Sequence, residues 1–411
     1  MTPAPPPDWS RGLFTVGVTG TNGKTSTTRW TAACLARLAR PVAQTTTLGS
    51  LLDDEPFEAP RDFSGFLATM RAALDRGGRY AAVEVTSEAL ARGFARAWPF
   101  RAGVFTNLSH DHLDAHGSPE HYLASKAQLF LSLPEGGTAV LNGADPVCEL
   151  LEEIIPPAVE ILRYAVPSRG EPSGEVHLRA TEIELSWEGT RAVVEAAGPL
   201  AGAHRELRTR AIGDVFVENA LAALAVSLAA GVPPAEAADA LAGAPVPRGR
   251  FEPVVAEGGD SRAPHVVVDY AHTPDALART LATARRLCHG SLVVVFGAGG
   301  DRDAKKRGPM GEAASVADHI VLTSDNPRSE DPARIAAQIR EGIAASAKVT
   351  VELDRRAAIR QAIRSAGEND VVVLAGKGHE TDQTAAGRTV AFDDAAEARD
   401  ALRGRSGASS P

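Results

Sequence analysis

The stretch from Gly17 to Trp30, GVTGTNGKTSTTRW, decides how the rest of the chain is read. Before it, "LFTVGVTG" is a short β-branched run closing on glycine; after it, "KTSTTRWTAACLARLAR" carries apolar residues at helical spacing up to Pro41. A glycine turn between a strand and a helix is the context a phosphate loop requires. Glycines let backbone N–H groups approach phosphate oxygens, the helix N-terminus favours the anion, Lys24 offsets charge, and the Thr25 hydroxyl can ligate Mg²⁺. The loop is two residues shorter than the common pattern, so a plain tight turn satisfies the same letters. Gly20, Thr21, Asn22, Gly23, Lys24, Thr25 and Ser26 are the candidate nucleotide contacts.

At 411 residues the chain exceeds one ordinary core, and two or three domains are expected. With 44% hydrophobic and 23% charged residues it reads as globular, and its net charge of -9 argues against nucleic acid or an acidic membrane as the main partner. Cys34, Cys148 and Cys288 are far apart and show no metal-ligand spacing, which fits a reducing compartment. No apolar run is long enough for membrane insertion and "MTPAPPPDWS" is no signal peptide, leaving the cytoplasm as the default location.

Further on, "YAAVEV" and "AGVFTNL" read as buried strands, and "SPEHYLASKAQLFLSL" opens with serine and proline as helices often do. "EVHLRATEIELSWEGTRAVVE" (175–195) alternates at period two and suggests a small antiparallel insert. "AGAPVPRGRFEP" breaks the composition and reads as a linker near 244–252. Beyond it "HVVVDY", "SLVVVFGAGG", "HIVLTS" and "DVVVLAGKG" are continuous apolar runs, as in a parallel sheet buried on both faces. The expected class is α/β: a disordered tail over 1–11, a phosphate-loop domain over 12–245 with a mostly parallel sheet, a Rossmann-like domain over 246–402, and a tail over 403–411.

Glu84 at a strand end, then His112 and Lys126, add groups able to place a second metal ion beside the loop. Taken singly, each has a bland alternative: a solvated carboxylate, a structural histidine, a surface lysine with its stem laid over Leu123, Ala127 and Phe130. Together with "GTNGKTSTT", the segments "EVTSEAL", "TNLSHDHLDAHGSPEHYLASKAQLF", "VDYAHTPDAL", "GGDRDAKKRGPM", "DNPRSEDP" and "AGKGHETDQ" occur in order from about Val16 to Asp394. In this the chain resembles the Mur ligases, and within them the branch that adds diaminopimelate to make muramyl tripeptides; folylpolyglutamate synthetases share the architecture but fit the last segments less well.

The resemblance implies ATP-dependent amide formation through an acyl phosphate. It implies that Lys24 and Thr25 hold the β- and γ-phosphates with Mg²⁺, that Thr25, Glu84, His112 and Lys126 form the metal set, and that Lys126 is carbamylated, which makes it a carboxylate-like ligand. It carries Asn219 to the adenine, Asp269 to the ribose, and Arg250 and His272 to the phosphates. From the residues alone Asn219 could cap its helix and Arg250 could be a solvated linker side chain. For the amine donor it implies Arg302, Asp325, Asn326, Arg328, Gly376 and Glu380, whose guanidinium forks and carboxylate suit a zwitterionic amino acid; "SDNPR" and "GKGHE" both follow strands, where ligands bind in such sheets.

Three departures bear on the acceptor. The chain enters the phosphate-loop domain at once, so the segment that grips the UDP-sugar in the resembled branch is expected to be missing. "FEAPRDF" stands where a threonine pair is usual, Glu88 replaces a histidine, and Phe94 falls where an arginine is expected. The leading expectation is therefore a ligase that adds a diaminopimelate-like amine to a small-molecule or peptide carboxylate other than the UDP-muramyl dipeptide. One alternative is the usual UDP-MurNAc-L-Ala-D-Glu:meso-diaminopimelate reaction, with a partner chain supplying acceptor binding; another is a catalytically silent nucleotide-binding scaffold.

Overall fold

The computed structural model describes residues 5–109, 118–166, 170, 172, 174–203, 205–255 and 263–406. Its contacts form two compact units. One comprises Met1–Glu184, Gly189–Arg210 and Asp214–Pro245; the other comprises Leu185–Glu188, Ala211–Gly213 and Val246–Pro411.

The first unit is built on β1 (Phe14–Thr19), β2 (Val42–Thr46), β3 (Gly49–Leu52), β4 (Glu55–Phe57), β5 (Tyr80–Glu84), β6 (Ala102–Phe105), β7 (Thr138–Asn142), β8 (Glu160–Ala165), β9 (Leu178–Ser186), β10 (Gly189–Ala196) and β11 (Glu206–Thr209). They lie in one sheet in the order β11-β10-β9-β8-β7-β6-β1-β5-β2-β3-β4. β1 runs parallel to β5 on one side and β6 on the other, with Val16 opposite Ala82 and Ala102. These central strands are buried on both faces, which is why they are continuous apolar runs. The sheet extends at both margins: β3 and β4 pair antiparallel beyond β2, and β10 pairs antiparallel with β11. The alternating segment belongs to this sheet, since β9 runs parallel to β8 with Tyr164 opposite Leu178. Its alternating burial marks a ribbon with one wet face.

Helix Lys24–Leu35 packs beside helix Asp214–Ala229, which is buried from Phe216 through Ser227. Alanines along the latter let the axes approach closely. Helix Pro119–Leu131 starts where Ser118 accepts the His121 N–H at 3.3 Å, with proline in the first turn. Its Leu129 and Phe130 join Trp98, Phe100 and Phe105 in one core cluster. Each such side chain contributes roughly 1.5–3 kcal/mol by leaving water.

The N-terminal expectation of disorder over 1–11 is corrected in part. Asp8–Gly12 forms a 3₁₀ turn with Ser10 buried, and the Trp9 ring lies 5.6 Å from Trp98 at 60°. A large indole with an apolar partner within reach does not stay in a tail.

In the second unit β12 (Glu252–Val254), β13 (His265–Asp269), β14 (Leu292–Phe296), β15 (His319–Leu322), β16 (Lys348–Val351) and β17 (Val371–Ala375) are ordered β12-β13-β17-β14-β15-β16. All pair parallel except β12, which is antiparallel to β13 at the edge. Helices Pro274–Leu287, Pro332–Glu341 and Arg355–Ser365 begin on Thr273, Asp331 and Asp354, whose side chains accept first-turn N–H groups. A hairpin, β18 (Asp382–Ala385) with β19 (Arg388–Ala391), follows β17. The last helix, Asp394–Ser406, continues through four residues assigned from the sequence to a tail. Its buried Ala395, Ala398, Ala401 and Leu402 join the core of this unit.

Candidate functional site

The loop after β1 is held by a second loop, the one after β6. Thr21 N–H donates to Asn107 O at 2.8 Å, Asn22 N–H to Asn107 Oδ1 at 2.9 Å, and Thr106 Oγ1 to Asn22 O at 2.6 Å. Gly20 has φ +152° and Gly23 φ +84°; a Cβ on them would stand 1.9 Å from Thr106 Oγ1 and 2.2 Å from Asn219 Oδ1. The strand-turn-helix therefore closes only with glycine at both places. Asn219 lies buried against Gly23, so the side chain linked above to adenine is at the loop itself. Ser26 is buried in the first turn of the helix.

Lys24 Nζ donates to Gly20 O at 3.1 Å and Thr21 O at 2.7 Å, which keeps the ammonium over the loop. Thr25 Oγ1 donates to Glu84 Oε2 at 2.8 Å, and Thr47 N–H reaches the same oxygen at 3.3 Å. A hydroxyl paired with a carboxylate at a phosphate loop is an oxygen donor set suited to Mg²⁺. Lys126 is 1% exposed; its Nζ donates to Gly20 O at 2.7 Å and lies 4.2 Å from the centre of the Tyr122 ring. Two lysine ammonium groups thus converge on one carbonyl. His112 lies outside the described residues. Among the described residues no three His, Cys, Asp or Glu side chains gather, and of the candidate metal set Thr25, Glu84 and Lys126 are the members whose positions are described.

In the second unit, Arg250, Asp269 and His272 come together. The Arg250 guanidinium stacks 4.8 Å from the Tyr270 ring, and His272 Nδ1 is 2.8 Å from Tyr270 O. Asp269 is a brace: its carboxylate accepts from Phe251 N–H at 2.6 Å, Ala271 N–H at 2.8 Å and Thr280 Oγ1 at 3.0 Å. Burial pushes this carboxyl above its usual range, against the opposing pull of Arg250 and the three donors.

The amino-acid candidates cluster where β15 and β17 end. Asn326 Nδ2 donates to Glu380 Oε2 at 2.8 Å, and buried Lys377 bridges Asn326 Oδ1 at 3.3 Å and Glu380 Oε2 at 3.1 Å. Gly376 abuts Asp325, whose Oδ2 is 2.5 Å from where a Cβ would stand. Arg328 Nη1 donates to Gly300 O at 2.7 Å, which ties this loop to the one carrying exposed Arg302. Arg307, 1% exposed, reinforces the tie by bonding Gly299 O at 3.2 Å and both oxygens of Glu330 at 2.8 and 2.9 Å. Beneath them Arg355 and Asp394, both fully buried, pair at 2.7 Å; the guanidinium also donates to Ser324 O at 3.3 Å and Ala375 O at 3.0 Å. Those carbonyls immediately precede Asp325 and Gly376.

Beside Glu84 the first unit opens into a cavity of about 950 Å³ bounded by residues 45–51 and 56–63 and by Thr86, Ala89, Arg92, Phe94 and Ala97. Phe63, Phe66 and Phe94 form part of its wall, with ring centres 5.0–5.8 Å apart. Arg29 also faces it.

Residues that hold these sites but escaped the sequence reading are Thr106, Asn107, Tyr122, Lys377, Arg355 and Asp394. Tyr122 had a local signal: four residues before Lys126, it shares that helix face. Lys377 stood inside the GKGHE segment without a role.

Residues 18–227 match the Mur ligase middle domain and residues 249–378 the Mur ligase, glutamate ligase domain. The chain is 41% identical over 403 residues to the UDP-N-acetylmuramoyl-L-alanyl-D-glutamate--2,6-diaminopimelate ligase of Thermosynechococcus vestitus, covering 96% of this chain and 78% of that protein. A solved structure of a ligase of that name superposes with TM-score 0.68 at 32% identity, over 97% of this chain and 80% of the other. The folylpolyglutamate synthase of Mycobacterium tuberculosis, at TM-score 0.69 and 20% identity over 89% of both chains, shares the fold. With its phosphate loop, its two matched domains and this identity along nearly its whole length, the chain is an ATP-dependent ligase and belongs to the Mur ligase family.

Proposed function

We propose that the chain joins a carboxylate to the amino group of diaminopimelate or a close analogue. The cluster of Asp325, Asn326, Arg328 and Glu380 at two strand ends carries the amine side of this reading. Glu380 Oε2 is engaged by Asn326 and Lys377, and its other oxygen has no partner among the described residues, so it is available to a substrate ammonium. Arg302 and Arg328 stand within one loop pair as candidate forks for the substrate carboxylates.

The acceptor carboxylate oxygen attacks the γ-phosphorus of ATP and ADP leaves; the amine then attacks the acyl carbon, loses a proton and expels orthophosphate. Like-charge repulsion opposes the first step, and Lys24 over the loop counters it. Mg²⁺ at Thr25 and Glu84 would add charge neutralisation at the phosphates. Carbamylation of Lys126 belongs to this reading: it reverses the sign of one of the two charges that meet at Gly20 O. An intact-mass gain of one CO₂, abolished in Lys126→Ala, tests it.

For the acceptor, the names of the relatives favour UDP-N-acetylmuramoyl-L-alanyl-D-glutamate. The test is ADP release and product mass with that dipeptide, ATP, Mg²⁺ and meso-diaminopimelate, with ¹⁸O in the reacting carboxyl. Label reaching orthophosphate supports the acyl phosphate, and its absence in a turning-over enzyme refutes it. A second reading, the same chemistry on another carboxylate, is favoured by one observation: phenylalanines 63, 66 and 94 wall the cavity beside Glu84.

A further inference from the structure

We propose that the cavity beside Glu84 is an acceptor pocket for a monocarboxylic acid with an apolar, aromatic or branched body, and that Arg29 binds its carboxylate. The proposal rests on the ligase reading and takes the second of its two acceptors.

Position comes first. Glu84 lines the cavity and accepts from Thr25 Oγ1, so the polar end of the cavity meets the phosphate loop. Arg29 follows Thr25 by four residues on the same helix, which sets both side chains on one face. A carboxylate on Arg29 is therefore one helical turn from the residue that holds the phosphates.

Next, Arg29 lacks a mate. It makes no hydrogen bond or ion pair with a described residue, and its Nε is buried without an acceptor. Where the guanidinium lines the cavity, its remaining N–H groups can receive a carboxylate. Burial lowers its pKa, while Asp54 and Glu84 act at longer range in the opposite sense.

The third argument is the wall. Phe66 lies edge-on to Phe94 at 5.0 Å and to Trp98 at 4.9 Å, which fixes both rings from behind. Phe63 stacks on Phe66 at 5.8 Å and is still 38% exposed. A rigid aromatic surface left open to a cavity gains most from an apolar ligand.

The experiment supplies the full chain with ATP, Mg²⁺ and meso-diaminopimelate and compares N-acetyl-L-phenylalanine, 3-phenylpropionate and 4-methylpentanoate with the UDP-muramyl dipeptide. ADP release and product mass are read. Apolar acids should be used with kcat/KM at least tenfold above the dipeptide. Arg29→Gln should raise KM for the acid about tenfold or more with KM for ATP unchanged. Phe94→Arg, at a half-buried position, should depress apolar acids and favour a dicarboxylic acceptor, with melting temperature checked for both variants. Turnover of the dipeptide alone overturns the pocket assignment and leaves the ligase reading standing. ADP release with neither class overturns both acceptor readings.

Discussion

Gly23 faces Asn219 across a gap no side chain can enter, and its φ of +84° is one that other residues rarely adopt. Gly23→Ala is expected to cost on the order of 1–3 kcal/mol in the loop and to weaken binding of a fluorescent ATP analogue at least tenfold by titration. Unchanged affinity would mean that the loop is not the nucleotide cradle. The cysteines give a second residue-scale prediction. Burial pushes the Cys34 thiol up to about 12, and burial with neighbouring Glu152 pushes Cys148 up to about 12, so neither supplies thiolate at neutral pH. Cys288 is partly exposed. A thiol reagent such as DTNB should modify one equivalent in the native chain at pH 8 and three in denaturant. Much of this scale was legible, because Gly20 to Thr25 are contiguous and their chemistry is local. Asn107 was not, since its partner on the loop lies 85 residues away.

At the scale of elements, the ends of β15 and β17 carry the motifs proposed to bind the amine, and Arg355 binds both at the root. Asp394→Ala strands a buried guanidinium and should cost roughly 3–5 kcal/mol by denaturant unfolding. The double variant Arg355→Met/Asp394→Leu should recover most of that stability, yet raise KM for the amino acid while KM for ATP holds. An unaltered KM in the double variant would reduce the pair to packing. Hydrogen bonds from Arg307, helped by the Asp301 N–H, hold Glu330 down at about 2. Its folded pKa lies below the unfolded carboxyl range, so its stabilisation is complete above about pH 4.5 and is lost as pH falls toward 2. Glu330→Gln should remove that part of the acid-unfolding profile. Among elements, β1, β5, β6, β13, β14, β15 and β17 were readable because burial on both faces makes them continuously apolar. β4, β12 and β16 were not: the first two are three residues long, and β16, "KVTV", is a half-exposed edge. The junction of β8 with β9 depends on a pairing that no local pattern encodes.

At the scale of the whole chain, each unit has its own sheet and its own apolar core. Calorimetry of the full chain is expected to need more than one two-state transition; a single peak with equal calorimetric and van't Hoff enthalpies would contradict this. The division into a phosphate-loop half and a Rossmann-like half could be read from composition, whereas the packing of Trp9 on Trp98 could not, because a proline-rich start reads as a tail. The meeting of Lys24 and Lys126 at Gly20 O has a bench-level consequence. With Lys126 carbamylated, as proposed above, enzyme purified under argon in degassed buffer should start sluggishly and quicken on addition of bicarbonate, so the age and aeration of a preparation become variables to be controlled.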